Sequence, residues 1–217
     1  MTIGITLTGA DERTPIPELQ QLVEEHSALE IGLLYTETPD CRNRYPRIDW
    51  LLHAAYSLKG RCSVHVCGRL ARSNMLLRCE PVRTIVRSVQ RFQINGRVGR
   101  YWVETVCEDY SDSTVITQYN SANKDLLNVT SSNHCMLIDG SGGRGESPSS
   151  WIKPDTTKAI GFAGGLGPDN LAIEFPKIAA VATGNWWIDL ESNLRANDWF
   201  DLDKAKRCLE IFEGFIK

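Results

Sequence analysis

The sequence predicts a single-domain α/β protein, a (β/α)8 TIM barrel spanning residues 1–217. Two observations carry that prediction: short apolar runs alternate with helix-like segments along the whole chain, and the apolar runs number eight. Strands that each feed an amphipathic helix favour a parallel sheet. Eight such strands close into a barrel, and single barrels run to roughly 200–250 residues. No Ser/Pro/Gly linker divides the 217 residues into halves.

The elements follow in order. The first strand, IGITLT at 3–8, precedes PELQQLVEEH at 17–26, whose apolar residues recur every three or four positions. EIGLLYT at 30–36 precedes RIDWLLHAAYSL at 47–58, and SVHVC at 63–67 precedes EPVRTIVRSVQ at 80–90. RFQIN at 91–95 leads to RYWVETVCED at 100–109, and STVITQY at 113–119 to SANKDLLNV at 121–129. CMLID at 135–139 runs into the glycine-rich stretch that ends at Trp151. AIGFAG at 159–164 precedes DNLAIEFPKIAAV at 169–181, and WWIDLE at 186–191 precedes the closing helix at 201–216. An open doubly wound sheet competes with the barrel, but it usually has fewer strands and often carries a glycine-rich nucleotide turn after the first. The first strand here is followed by TGADERTP, which is no dinucleotide fingerprint.

Composition narrows the function classes. Apolar residues make up 42% and charged residues 24%, ordinary for a soluble globular protein. With 24 basic against 27 acidic residues the net charge is −3, which gives no electrostatic case for nucleic acid or an anionic membrane. No apolar run approaches the ~18 residues of a membrane span, and Met1 leads directly into a strand-like segment, so a cytoplasmic protein is expected. Seven cysteines, at 41, 62, 67, 79, 107, 135 and 208, show no C-x-x-C pair. They read as thiols in a reducing compartment, and neither a metal nor an organic cofactor is expected.

In a barrel, residues at the C-terminal ends of the strands converge on one mouth. Those positions hold Thr6, Thr8 and Asp11, then Arg44, His65 and Cys67, Gln93 and Asn95, Gln118, Asp139, Gly164 and Gly165, and Glu191 to Asn193. AGGLGPDN at 163–170 follows strand seven and opens a helix, so its backbone N–H groups can hold an anion. DLESN follows strand eight and completes the pair of loops that barrels commonly use for phosphate. A glycine pair after a strand also serves as a simple turn. The expected partner is a small phosphorylated metabolite, and the oligomeric state is left between monomer and homodimer.

Five motifs in order carry a resemblance: RYP at 44–46, QING at 93–96 (compare Q-x-H-G), LIDGSGGRG at 137–145 (compare L-x-D…GG-x-G), AGGLGPDN, and IDLESN at 188–193 (compare D-x-S-S-G). Together they resemble phosphoribosylanthranilate isomerase, the barrel enzyme of tryptophan biosynthesis that converts a phosphoribosyl amine into a 1-deoxyketose by an Amadori rearrangement. The resemblance implies that Asp139 is the general acid that protonates the furanose ring oxygen and that Arg44 holds the anthranilate carboxylate, a task suited to its planar donor fork. Gln93 and Asn95 would contact substrate. Gly142, Gly143, Gly164, Gly165, Ser192 and Asn193 would hold the phosphate.

Two departures stand beside the matches. The family ends strand one on a general-base cysteine in a K-I-C-G-I-T pattern, whereas this chain reads IGITLTGADE. An unassisted threonine hydroxyl is a poor base near neutral pH, so the base is left unassigned. Cys67, flanked by His65 and Arg69, is one candidate, with a buried structural thiol as the other reading. Asp11 is another candidate, and its setting GADERTP reads equally as a solvated turn. Where the family has serines after strand eight, Glu191 stands next to Ser192 and would repel a dianion. Three functions therefore remain open. They are an Amadori isomerase with Asp139 as acid, a different lyase or isomerase of a phosphorylated metabolite built on Cys67, Asp139 and Glu191, and a catalytically silent phosphate-ligand-binding barrel.

Overall fold

Alternation along each strand sends every second side chain outward to the helices and the others into the barrel interior. The computed structural model describes residues 3–38, 43–139 and 145–216. Within them β1 (Ile3–Thr8), β2 (Leu29–Thr36), β3 (Cys62–Cys67), β4 (Arg91–Ile94), β5 (Thr114–Tyr119), β6 (His134–Asp139), β7 (Ile160–Ala163) and β8 (Trp186–Leu190) form a closed barrel in sequence order. All neighbours are parallel, and β1 meets β8 with Ile5 opposite Ile188 and Leu7 opposite Leu190. The fold is the single-domain TIM barrel that the sequence predicts, with strand boundaries within a residue of those expected.

The outward side chains, among them Ile5, Leu7, Val64, Val66, Phe92, Ile160, Phe162 and Ile188, are essentially inaccessible and form one continuous core with the helices. Burying each such side chain contributes roughly 1.5–3 kcal/mol. The helices are α1 (Ile16–Glu25), α2 (Ile48–Ser57), α3 (Arg69–Leu76), α4 (Val82–Arg87), α5 (Arg100–Asp109), α6 (Leu171–Val181) and α7 (Leu202–Ile216). Inside the barrel a small apolar plug of Ile116, Leu137 and Trp187 fills the middle. Trp187 takes the space that a side chain on β7 would need: a Cβ at Gly161 would fall 2.3 Å from Trp187 Cε2.

Three elements differ from expectation. The segment 121–129 forms a 3-10 helix, Lys124–Asn128, instead of an α-helix. Helix α3 was not expected, because it buries only Ala71 and Met75 and so carries a weak apolar stripe. A short hairpin, β9 (Arg195–Ala196) with β10 (Trp199–Phe200), follows β8 and turns through Asn197 and Asp198 in left-handed conformations of φ 50° and 63°. Asn and Asp tolerate that region, and they are the residue types such tight hairpin turns favour.

Among the described residues, no helix is long and apolar enough to cross a membrane, and no cluster of three His, Cys, Asp or Glu side chains is placed to hold a metal ion.

Candidate active site

The C-terminal mouth of the barrel opens as a cleft lined on one side by His65, Gln93, Asn95, Gln118 and Asp139 and on the other by Gly145, Gly164, Gly165, Asp189, Glu191 and Ser192. Its polar groups come in two systems. On one side, Gln118 at the end of β5 is held from both ends, accepting from Gly96 N at 2.8 Å and donating through Nε2 to Asp139 Oδ2 at 3.0 Å. Buried Asn123 supports that clamp by donating to the carbonyls of Gly96 and Gln118. Asp139 is thereby fixed at the end of β6 with 5% of its surface accessible.

The second system centres on Asp189, on β8. Thr8 Oγ1, from the adjoining end of β1, donates to Asp189 Oδ1 at 2.7 Å. His65 Nε2 lies 3.7 Å from Asp189 Oδ2. Burial pushes the Asp189 carboxyl up to about 7; the Thr8 hydrogen bond opposes this, and the charges of Glu30 and Asp139 add to it. Burial pulls His65 down to about 4, so its imidazole is neutral at pH 7. Gln93 Nε2 approaches His65 Nδ1 at 3.4 Å and donates to Asn95 Oδ1 at 2.7 Å. With Nδ1 as the acceptor, the His65 proton sits on Nε2 and faces Asp189.

Thr8 has its place because β2 offers no side chain opposite it. Gly32 pairs with Thr8 across the strands, and a Cβ there would fall 2.2 Å from Thr8 Oγ1.

The rim is held by ion pairs. Arg44 NH1 meets Glu191 Oε1 at 3.1 Å and Arg44 NH2 meets Asp198 Oδ1 at 2.9 Å. Asp198 Oδ2 also accepts from Asn43 N at 3.0 Å. Arg195 donates to the Asp198 and Gly9 carbonyls at 2.8 and 2.9 Å and lies 3.7 Å from Asp11. Burial raises the Glu191 carboxyl above the usual range, with His65 and Arg44 acting the other way.

Asp139, Gln93, Asn95, Gly164, Gly165 and Ser192 thus converge on the cleft as the sequence led one to expect. Gly142 and Gly143 lie outside the described residues. Asn193 is exposed and ties the two loops together by donating to Gly165 O at 2.7 Å. Arg44 stands behind the cleft lining, joined to it through Glu191. Cys67 also stands back from the lining: it is 8% accessible, and its Sγ accepts from Asn95 Nδ2 at 3.2 Å. Asp11 is fully buried under the hairpin, accepting from Phe200 N at 2.7 Å and Arg13 N at 3.1 Å, which makes it a structural acceptor instead of a solvated turn residue. Sequence reasoning missed Asp189 as a site residue although it stands in the quoted IDLESN; its alternation partner Glu191, two residues on, marks the same inward face.

The class defined by this architecture is the single-domain (β/α)8 barrel with polar groups gathered at the C-terminal mouth. Phosphoribosyl anthranilate isomerase from Thermus thermophilus is similar to it with a TM-score of 0.71 at 19% identity, over 98% of this chain and 99% of that one. N-(5'-phosphoribosyl)anthranilate isomerase from Pyrococcus furiosus gives a TM-score of 0.64 at 11% identity, again over 98% of this chain and 99% of that one. At these identities the likeness shows the shared fold. No family model and no curated protein matches the sequence.

Proposed function

We propose that the protein is an aldose-ketose isomerase that performs an Amadori rearrangement on a phosphorylated ribosyl amine. The observation that carries this reading is the pair of carboxylates, Asp139 and Asp189, fixed by separate hydrogen-bond systems on β6 and β8 of one cleft. In its protonated form Asp139 delivers a proton to the furanose ring oxygen and becomes a carboxylate, and the ring C1–O bond breaks as the nitrogen lone pair forms an iminium at C1. Asp189, as carboxylate, takes the proton from C2, and the C–H electron pair forms an enol amine. Transfer of the enol proton and reprotonation at C1 give the ketose, so atoms and electrons balance with two proton-transfer groups.

A base with a pKa near 7 is matched to work at neutral pH, and this supports Asp189 in the role left open by the absent cysteine. The position of Gly145, Gly164, Gly165 and Ser192 on the loops beside β7 and β8 supports phosphate at that wall. Gly165 is at φ +58°, and a Cβ there would fall 2.6 Å from Ser147 N, so only glycine lets the loop after β7 pack against the backbone of residues 145–147. In this reading the partner is a small phosphorylated metabolite in the cytoplasm.

The test is to incubate the protein with N-(5'-phosphoribosyl)aniline and with N-(5'-phosphoribosyl)anthranilate and follow the C2 ketone by carbon NMR in D2O. Ketose formation is expected from at least one, lowered ~100-fold or more in Asp139→Asn and in Asp189→Asn. No conversion of either compound rejects the reading.

A further inference from the structure

The resemblance makes Arg44 the holder of a substrate carboxylate, and the structure shows that guanidinium already held between two carboxylates of this chain, Glu191 and Asp198. Asp198 is built for the purpose: it stands in the left-handed turn of the β9–β10 hairpin, and its other oxygen is fixed by Asn43 N. Arg195, the neighbouring cation, is 4% accessible at its side chain and turned to backbone carbonyls and Asp11. Among the described residues, the cleft lining itself holds Asp139, Asp189 and Glu191 and no lysine or arginine.

A second observation, independent of charge, points the same way. Gln93 is 3% accessible and lines the cleft, and its Oε1 is buried without a hydrogen-bond donor. Its orientation is set by its Nε2, which donates to Asn95 Oδ1 and approaches His65 Nδ1, both acceptors. Reversing the amide would place oxygen against oxygen, so the orphan is an acceptor waiting for a donor. A buried acceptor without a partner, beside two carboxylates, Glu191 and Asp198, that share the one Arg44 guanidinium, calls for a ligand group that donates N–H bonds and is positively charged.

We propose that the group borne on the substrate's sugar nitrogen is an amine-bearing cation, recognised by Glu191 and Gln93, and not a carboxylate. Glu191 is then the specificity determinant, acting by neutralising Arg44 and by offering its own negative charge to the substrate. This inference rests on the phosphosugar reading of the preceding section and deepens it.

Binding separates the possibilities. Three reduced, open-chain analogues are compared by calorimetry: N-(5-phosphoribityl)aniline unsubstituted, with an ortho carboxylate, and with an ortho aminomethyl group. The aminomethyl compound is expected to bind at least tenfold more tightly than the carboxylate compound. In Glu191→Gln, and independently in Asp198→Asn, which frees Arg44 from the side away from the cleft, that ratio should shrink or reverse; retained thermal unfolding of each variant checks its fold. Preference for the carboxylate compound in the unaltered protein, or a ratio unmoved in both folded variants, overturns the inference while leaving the phosphosugar reading intact. If none of the three binds, the phosphosugar reading fails and this one with it.

Discussion

Thr8 Oγ1 donates a 2.7 Å hydrogen bond to Asp189 Oδ1, joining the end of the first strand to the last at the point where the barrel closes. The bond favours the ionised carboxyl, against a burial that favours the neutral form. Thr8→Val removes the donor and keeps the shape. The apparent pKa of the ascending, acid-side limb of the rate profile should then move above about 7, with the maximal rate reached at higher pH. A profile unchanged from the parent would show that Asp189 is not the titrating base.

Asp189→Asn should remove activity and stabilise the fold at alkaline pH. The Asp189 carboxyl is raised from 3.8 to about 7 in the folded protein, so between those values the folded state binds the proton more tightly than the unfolded chain does. Its contribution is complete below about pH 4 and is lost as pH rises through about 7. At pH 8 the ionised group therefore destabilises the fold, by ~4 kcal/mol as an upper bound. An asparagine avoids that cost while still accepting from Thr8. Thermal unfolding at pH 8 should occur several degrees higher in Asp189→Asn, with a much smaller difference at pH 4.

Most of the barrel was legible because strand alternation and helix periodicity are local signals, and each of the eight strands carries one. Helix α3 was not, since a stripe of Ala71 and Met75 is too thin to register against the polar residues around it. The site was legible where a motif names an inward strand end, as at Gln93 and Asp139. The Arg44–Glu191–Asp198 arrangement was illegible for another reason: it joins residues 147 and 154 positions apart, and nothing local marks such a partnership. The Asn197-Asp198 dipeptide was its one accessible clue, as a tight-turn signal between two short extended pairs.

Gly32→Ala should act on the site through packing. The added Cβ would meet Thr8 Oγ1 at 2.2 Å, Thr8 Cβ at 2.9 Å and the Thr8 backbone at 3.0 Å, so Thr8 must turn away and Asp189 loses its donor. Overpacking of this kind costs about 1–3 kcal/mol. Denaturant unfolding should show that loss, and the rate profile should shift to higher pH as in Thr8→Val. A destabilised variant with an unshifted profile would separate packing from the hydrogen bond.

Asp11→Ala should be the most destabilising of the single changes at the mouth. Asp11 is inaccessible, accepts from Phe200 N and Arg13 N, and stands 3.7 Å from Arg195. Its removal leaves the Phe200 and Arg13 N–H groups without their acceptor and takes away one of the carboxylates beside Arg195, and a buried donor left unsatisfied costs about 1–3 kcal/mol. The hairpin would loosen first, because Phe200 N is the bond that ties β10 to the loop after β1. Amide hydrogen exchange should therefore show Phe200 losing protection, with strand amides such as Leu33 and Val64 keeping theirs under conditions where the variant remains folded. Equal loss of protection at all three positions would mean that the hairpin and the barrel unfold as one unit.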